Sequence, residues 1–327
     1  MERFVFFGGK GGVGKTTVSS AYAVTCADAG LETLVVSTDP AHSTADVFDQ
    51  PFGDSPRPVE GYDGLSAMEI DPDEAVETHL QETRRALADQ VSAAMVNEID
   101  RQIELAHRTP GAYEAALFDR FVDVMRNAEA YDRVVFDTAP TGGSLRLLSL
   151  PEYLGGWIDR LIDKRATSID LFERAAVGDR EARRKAAEDP IIARLEERRE
   201  RFAFAGRVLS EEAAFFLVLN PDELSIRESS RTVADLAEHD LSVRGLVVNR
   251  LTPEPDDDDR GRGGRYLRER RATERERVAQ VRDEFAQPIV AAIETRIEEV
   301  RGDLLAEVAA ELDVAVAPGA TSTRTSR

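Results

Sequence analysis

The chain has 327 residues, enough for one elaborated α/β domain with a substantial core, and its 62 acidic against 42 basic residues leave a formal charge of −20 at pH 7. That balance, with no basic stripe or aromatic platform, argues against nucleic acid as a partner, and a single cysteine, Cys26, excludes an intrachain disulfide or a thiol metal cage within one subunit. No run approaches the roughly 20 apolar residues of a membrane span, and the N-terminus reads as a core strand rather than a signal peptide, so a cytoplasmic location is expected.

The first element is the apolar run Phe4–Phe7, a buried strand that feeds directly into Gly8-Gly9-Lys10-Gly11-Gly12-Val13-Gly14-Lys15-Thr16-Thr17. Glycines at this spacing let successive backbone N–H groups face phosphate oxygens, and Val18–Ala23 continues as a helix whose positive end faces the same anion. The phosphate-binding candidates are therefore Gly9, Lys10, Gly11, Gly12, Val13, Gly14, Lys15, Thr16 and Thr17. Lys15 is placed to reach the β- and γ-phosphates of ATP, and the Thr16 hydroxyl to ligate Mg2+. Gly9–Gly14 also spells the dinucleotide pattern G-x-G-x-x-G, with Asp39 at a ribose-binding distance, but such a loop has no use for the Lys-Thr-Thr that follows. Lys10 is a second cation in the loop, with no partner evident in its own chain.

The next apolar runs are Thr33–Ser37, Leu65–Ile70, Arg133–Phe136, Phe215–Leu219, Leu246–Val248 and Pro288–Ala291, separated by helical segments too long for hairpins. This pattern predicts an α/β fold, a mostly parallel doubly wound sheet of the P-loop NTPase kind. Two intervals are long, charged and helix-periodic. They predict one domain over residues 1–316 carrying a helical subdomain inserted at about 71–130 and 151–213, with a Ser/Thr-rich tail, 317–327, expected to be unstructured. The insertions carry apolar stripes: Leu117, Phe118, Phe121, Val122 and Met125, then Tyr153, Leu154, Trp157, Ile158, Leu161 and Ile162, with Ile169, Leu171, Phe172 and Val177 beyond. The stripes fit either an ordinary helical core or an exposed groove. Gly178–Asp189 is polar, and Pro253–Gly264, with Asp256–Asp259 and three glycines, reads as a disordered surface loop.

Asp39, in Ser37–Ser43, follows the second strand, and Asp137, in Phe136–Gly142, follows the fourth. Both then lie at carboxyl ends of strands, the edge where such sheets bind ligands. Asp137 fits the acid that holds Mg2+ through its water shell, and Asp39 is placed to orient or deprotonate the attacking water. A helix N-cap is the plainer role for either acid.

Together these residues resemble the arsenical-pump ATPase (ArsA) family, which includes the eukaryotic ATPase that guides tail-anchored membrane proteins. The likeness is carried by Gly8–Thr17 with its extra Lys10, by Ser37–Ser43 and Asp137–Leu148 as switch elements, and by Asn220–Glu228 and Gly245–Arg250. It implies a homodimer with one ATP per subunit, Lys10 crossing to the partner's phosphates, Asn249 reading adenine, and catalysis by Asp39, Lys10 and Lys15. Two departures stand out: Gly143-Ser144 replaces the family's His-Thr, and no Cys-x-x-Cys follows Asn249.

Three functions are compatible with the resemblance. One is a targeting ATPase that cradles the apolar helix of a membrane-protein client and hands it to a membrane receptor. Another is the ATPase subunit of arsenite efflux, a branch that binds a thiophilic metalloid through cysteines and commonly fuses two sets of these motifs, where this sequence holds one. The third is a positioning or regulatory ATPase, normally without the insertions. With Met68, Met95 and Met125 the only internal methionines, a client groove would lack the adaptable lining common in helix binders. Only four of the 42 basic residues are lysines (Lys10, Lys15, Lys164 and Lys185), and an acid-rich, lysine-poor surface suits a cytoplasm of high salt. A GC-rich genome would favour arginine as well.

Overall fold

The computed structural model describes residues 2–38, 43–71, 73–78, 81, 112–137, 159–160, 162–164, 167, 190–256 and 261–314. Asp39, Gly143-Ser144, the tail and most of both insertions, including the stripe from Tyr153 to Leu161, lie outside the described residues.

Eight strands form one sheet: β1 (Phe4–Gly8), β2 (Thr33–Ser37), β3 (Arg57–Pro58), β4 (Leu65–Glu69), β5 (Arg133–Asp137), β6 (Ala213–Leu219), β7 (Val243–Leu251) and β8 (Ile289–Glu294). Their spatial order is β3-β4-β2-β5-β1-β6-β7-β8, and every pair is parallel except β3 with β4. The seven apolar runs expected from the sequence are the seven parallel strands. All but the half-buried edge strand β8 are largely buried because helices cover both faces, which is why they read as continuous rather than alternating apolar runs. The two-residue β3, Arg57-Pro58, is exposed and carries no apolar signal.

The helices among the described residues are α1 (Lys15–Asp28), α2 (Ser43–Phe48), α3 (Ala112–Arg126), α4 (Pro190–Glu211), α5 (Glu223–Ala237), α6 (Arg262–Glu284) and α7 (Asp303–Ala310). The chain first builds β2, β4 and β5 on one side of β1, then β6, β7 and β8 on the other. The connections thus diverge at β1, which puts the Gly9–Gly14 loop in the crevice where parallel sheets bind ligands.

One face of the sheet packs Phe4, Phe6, Val134, Phe136 and Phe215 beneath α3, α4, α5 and α6; the other packs Val5, Phe7, Val35, Val135 and Phe216 beneath α1 and α7. On the first face the rings of Phe136, Phe6 and Phe215 stack across three neighbouring strands, with centroid separations of 4.6 and 5.1 Å. Cys26 is fully buried on α1, as a small core residue.

One open alternative is decided and one expectation needs correction. The stripe Leu117–Met125 is core, not groove: Phe121 is 2% exposed and meets the Phe136 ring edge-on at 5.2 Å, and Phe118 stacks on Phe202 of α4 at 5.1 Å. The cause is topological. The connection into β5 must cover the large side chains that β1 and β5 present on this face, and α3 supplies that cover. Its charged face pairs with α4, Asp119 with Arg198 and Asp123 with Arg201, each at 2.7 Å. The loop expected over Pro253–Gly264 is also too long at its end, since α6 starts at Arg262 behind an extended Gly261 N-cap and buries Gly264.

Candidate functional site

The loop leaves β1 at Gly8 and is pressed against two neighbouring strands. A Cβ at Gly9, whose φ is +144°, would lie 2.2 Å from the Val218 carbonyl oxygen of β6. Gly14 adopts a left-handed φ of +91° and opens α1 without a side-chain cap, which leaves the first-turn N–H groups for a ligand. Val13, between them, is buried in the core and anchors the loop.

Lys15 is 8% exposed, and its ammonium donates back to the Lys10 carbonyl at 3.3 Å. The Thr16 hydroxyl donates to Asp137 Oδ2 at 2.6 Å, across 121 residues of sequence. Parallel pairing of β1 with β5, which sets Phe7 opposite Asp137, brings this about. Asp137 is 1% exposed, with Oδ2 on the Thr16 hydroxyl at the carboxyl end of the strand. An alcohol oxygen and a carboxylate side by side next to an anion-binding loop fit Mg2+, a hard cation that takes few protein oxygens and completes its shell with phosphates and water.

Asn249 sits at the carboxyl end of β7, buried, with its amide nitrogen donating to the Val13 carbonyl at 2.7 Å and its Oδ1 accepting the Arg250 N–H at 2.9 Å. The sequence-predicted residues Gly9 to Thr17, Asp137 and Asn249 therefore converge at one sheet edge. Asp39 falls outside the described residues, but its flanks are held: the Thr38 N–H donates to the Asp137 carbonyl at 3.3 Å, and the Ala45 N–H to Glu69 Oε1 at 2.9 Å. Glu69 escaped the sequence reading, although an acid at the end of the apolar run Leu65–Ile70 was a usable signal. On the far side of the loop Asp222 caps α5 by accepting the Ser225 N–H, while Ser225 Oγ accepts the Asn220 N–H.

Cys26 is remote in role from these polar groups. Burial pushes its thiol up to about 11, with Arg133 and Tyr22 lowering it less. No helix among the described residues is long and apolar enough to cross a membrane.

A family model for anion-transporting ATPases matches residues 2–313. A Halobacterium salinarum protein provisionally named an arsenical pump-driving ATPase is 36% identical over 306 residues, 93% of this chain and 43% of that protein. The Escherichia coli arsenical pump-driving ATPase is 35% identical over 259 residues, 76% of this chain and 40% of its own length. The Neurospora crassa ATPase get3 is 30% identical over 304 residues, 92% of this chain and 87% of its own length. The chain thus spans less than half of the Halobacterium and E. coli proteins and most of the Neurospora one.

Proposed function

The chain belongs to the anion-transporting, or ArsA, family of ATPases, and on that premise we propose that it is a Mg2+-dependent, homodimeric ATPase that carries an apolar membrane-protein helix to a membrane receptor. The observation that carries the catalytic part is the Thr16–Asp137 pair at 2.6 Å beside the glycine loop. Backbone N–H groups of the loop and the first turn of α1 bind the triphosphate. The Lys15 ammonium exchanges the Lys10 carbonyl for phosphate oxygens, a short movement because both lie in the same loop. Thr16 and Asp137 would hold the metal, whose positive charge would stabilise the charge developing on the phosphates. Asp39 orients the water, and Lys10 reaches the phosphates of the second subunit. Closure of the dimer on ATP and its release after hydrolysis then move whatever the subunits hold between them.

The client class rests on Cys26. Arsenite is thiophilic, and the only thiol here is fully buried on the core face of α1 with a raised pKa, conditions that suppress the thiolate a metalloid needs. The names of the Halobacterium and E. coli relatives favour the second reading, an arsenical pump ATPase. With Leu117–Met125 assigned to the core and Ile162 packed against it, a client surface would have to draw on the rest of the second stripe, Tyr153–Leu161. The acid-rich surface fits work at high salt.

Turnover measured in molar salt with a 20-residue apolar helical peptide, with arsenite, and with neither separates the readings. The targeting reading expects the peptide to bind more tightly with ATP than without, and arsenite to leave the rate unchanged. Arsenite stimulation with no peptide binding would overturn it in favour of the pump. Sedimentation with a non-hydrolysable ATP analogue tests the dimer: Lys10→Ala is expected to lower the dimer fraction.

A further inference from the structure

The Asn249 amide does more at this edge than wait for a base. Its nitrogen grips the Val13 carbonyl at 2.7 Å in a buried position, from a strand two places removed from β1. A peptide unit is planar and trans, so its C=O and the next N–H point in opposite directions. Fixing the Val13 oxygen therefore fixes the direction of the Gly14 N–H, one of the donors that the loop offers to phosphate.

Three further features serve this contact. A Cβ on Gly14 would come within 2.4 Å of Asn249 Nδ2, so the approach requires glycine there in addition to the φ of +91°. Arg250 takes a left-handed φ of +60°, uncommon for a residue other than glycine, and in that conformation its N–H is accepted by Asn249 Oδ1, which leaves the nitrogen to face Val13. Just beyond, Thr252 gives both its N–H and its hydroxyl to the buried carboxylate of Glu274, at 2.7 and 2.8 Å, tying the segment to α6. The strut thus runs from the loop through Asn249 to a pinned stretch of chain.

We propose that Asn249 is a positioning residue for the phosphate loop, acting on the triphosphate whatever base it carries. This rests on the reading of the loop as a triphosphate site. A residue that reads adenine alone would act only where a base is present, which gives the two roles different signatures.

The test uses the whole chain with Asn249→Asp, which keeps the shape and the bond from Arg250 but replaces the donor with a carboxylate that repels the Val13 oxygen. Amide hydrogen exchange is followed in the ligand-free protein, and affinity is measured for the magnesium salts of ATP and of inorganic tripolyphosphate. Loop peptides over residues 9–17 are expected to exchange about tenfold faster with the rest of the sheet unchanged, and both affinities to fall by the same factor, about tenfold, the equivalent of one buried hydrogen bond. Unchanged loop exchange, or a loss confined to ATP, overturns the proposal. If exchange rises throughout the sheet, Asn249→Ser, too short to reach Val13 and uncharged, is judged by the same criteria. If the parent binds neither salt, the triphosphate reading fails, and the ligand-free exchange still decides the strut.

Discussion

The Gly9–Gly14 loop and helix α3 both rest on the centre of the sheet, but they are held there by opposite means. The loop is fixed by a few directional contacts at particular atoms: Asn249 on the Val13 oxygen, Thr16 on Asp137, and glycines where a Cβ would strike β6 or Asn249. Helix α3 is fixed by area, with Leu117, Phe118, Phe121, Val122 and Met125 interdigitated with aromatic rings of β1, β5 and α4. Directional contacts leave polar groups and N–H donors available for chemistry at little cost in surface. Area burial consumes its own residues, and a helix face spent on the core has nothing left for a client.

Substitutions should therefore separate the two regions. Phe121→Ala, in α3, should cost about 3–5 kcal/mol of stability through lost burial and a cavity against Phe136. It should show as a large fall in melting temperature with turnover per folded molecule unchanged; an unchanged melting temperature would return this stripe to the exposed class. Lys15→Ala should do the reverse, cutting ATP turnover about 10²–10³-fold with a smaller change in melting temperature, because its ammonium is needed for the transferring phosphoryl group and it fills no part of the hydrophobic core. Steady-state phosphate release checks it, and near-normal turnover would remove Lys15 from the site. Gly14→Ala should fall between, costing about 1–3 kcal/mol from its positive φ and the crowding of Asn249. Urea unfolding reads the stability loss, and triphosphate affinity should drop in the same variant.

The same contrast explains what the sequence disclosed. The loop's glycines were legible because its positive φ angles and its close approach to β6 and Asn249 demand glycine at fixed positions, and the place of Asp137 followed from its position after a strand. The inner parallel strands were legible because burial on both faces leaves unbroken apolar runs, and the half-buried edge strand β8 because Ile289–Ala291 is apolar throughout. Arg57-Pro58 was not, since a two-residue exposed strand is defined by its neighbour's backbone rather than by its own side chains. The stripe at Leu117–Met125 announced that it was buried, but periodicity cannot name the partner: the same spacing serves a groove, a helical bundle or a sheet. Asn249 was found through resemblance. Its contact with Val13 depends on β7 lying two strands from β1, a long-range fact with no local signature. Glu69 was overlooked for a similar reason, its carboxylate serving the N–H of Ala45 on another element.

The central claim is that Thr16 and Asp137 form the protein's share of a magnesium–triphosphate site. Calorimetric titration of ATP into the parent and into Asp137→Asn, each with and without Mg2+, tests it most directly. The parent should bind more tightly with the metal, and the variant should lose most of that metal-dependent gain while keeping its metal-free affinity and its melting temperature. An undiminished response to Mg2+ in the variant would contradict the account and leave Asp137 as a structural acceptor for the Thr16 hydroxyl.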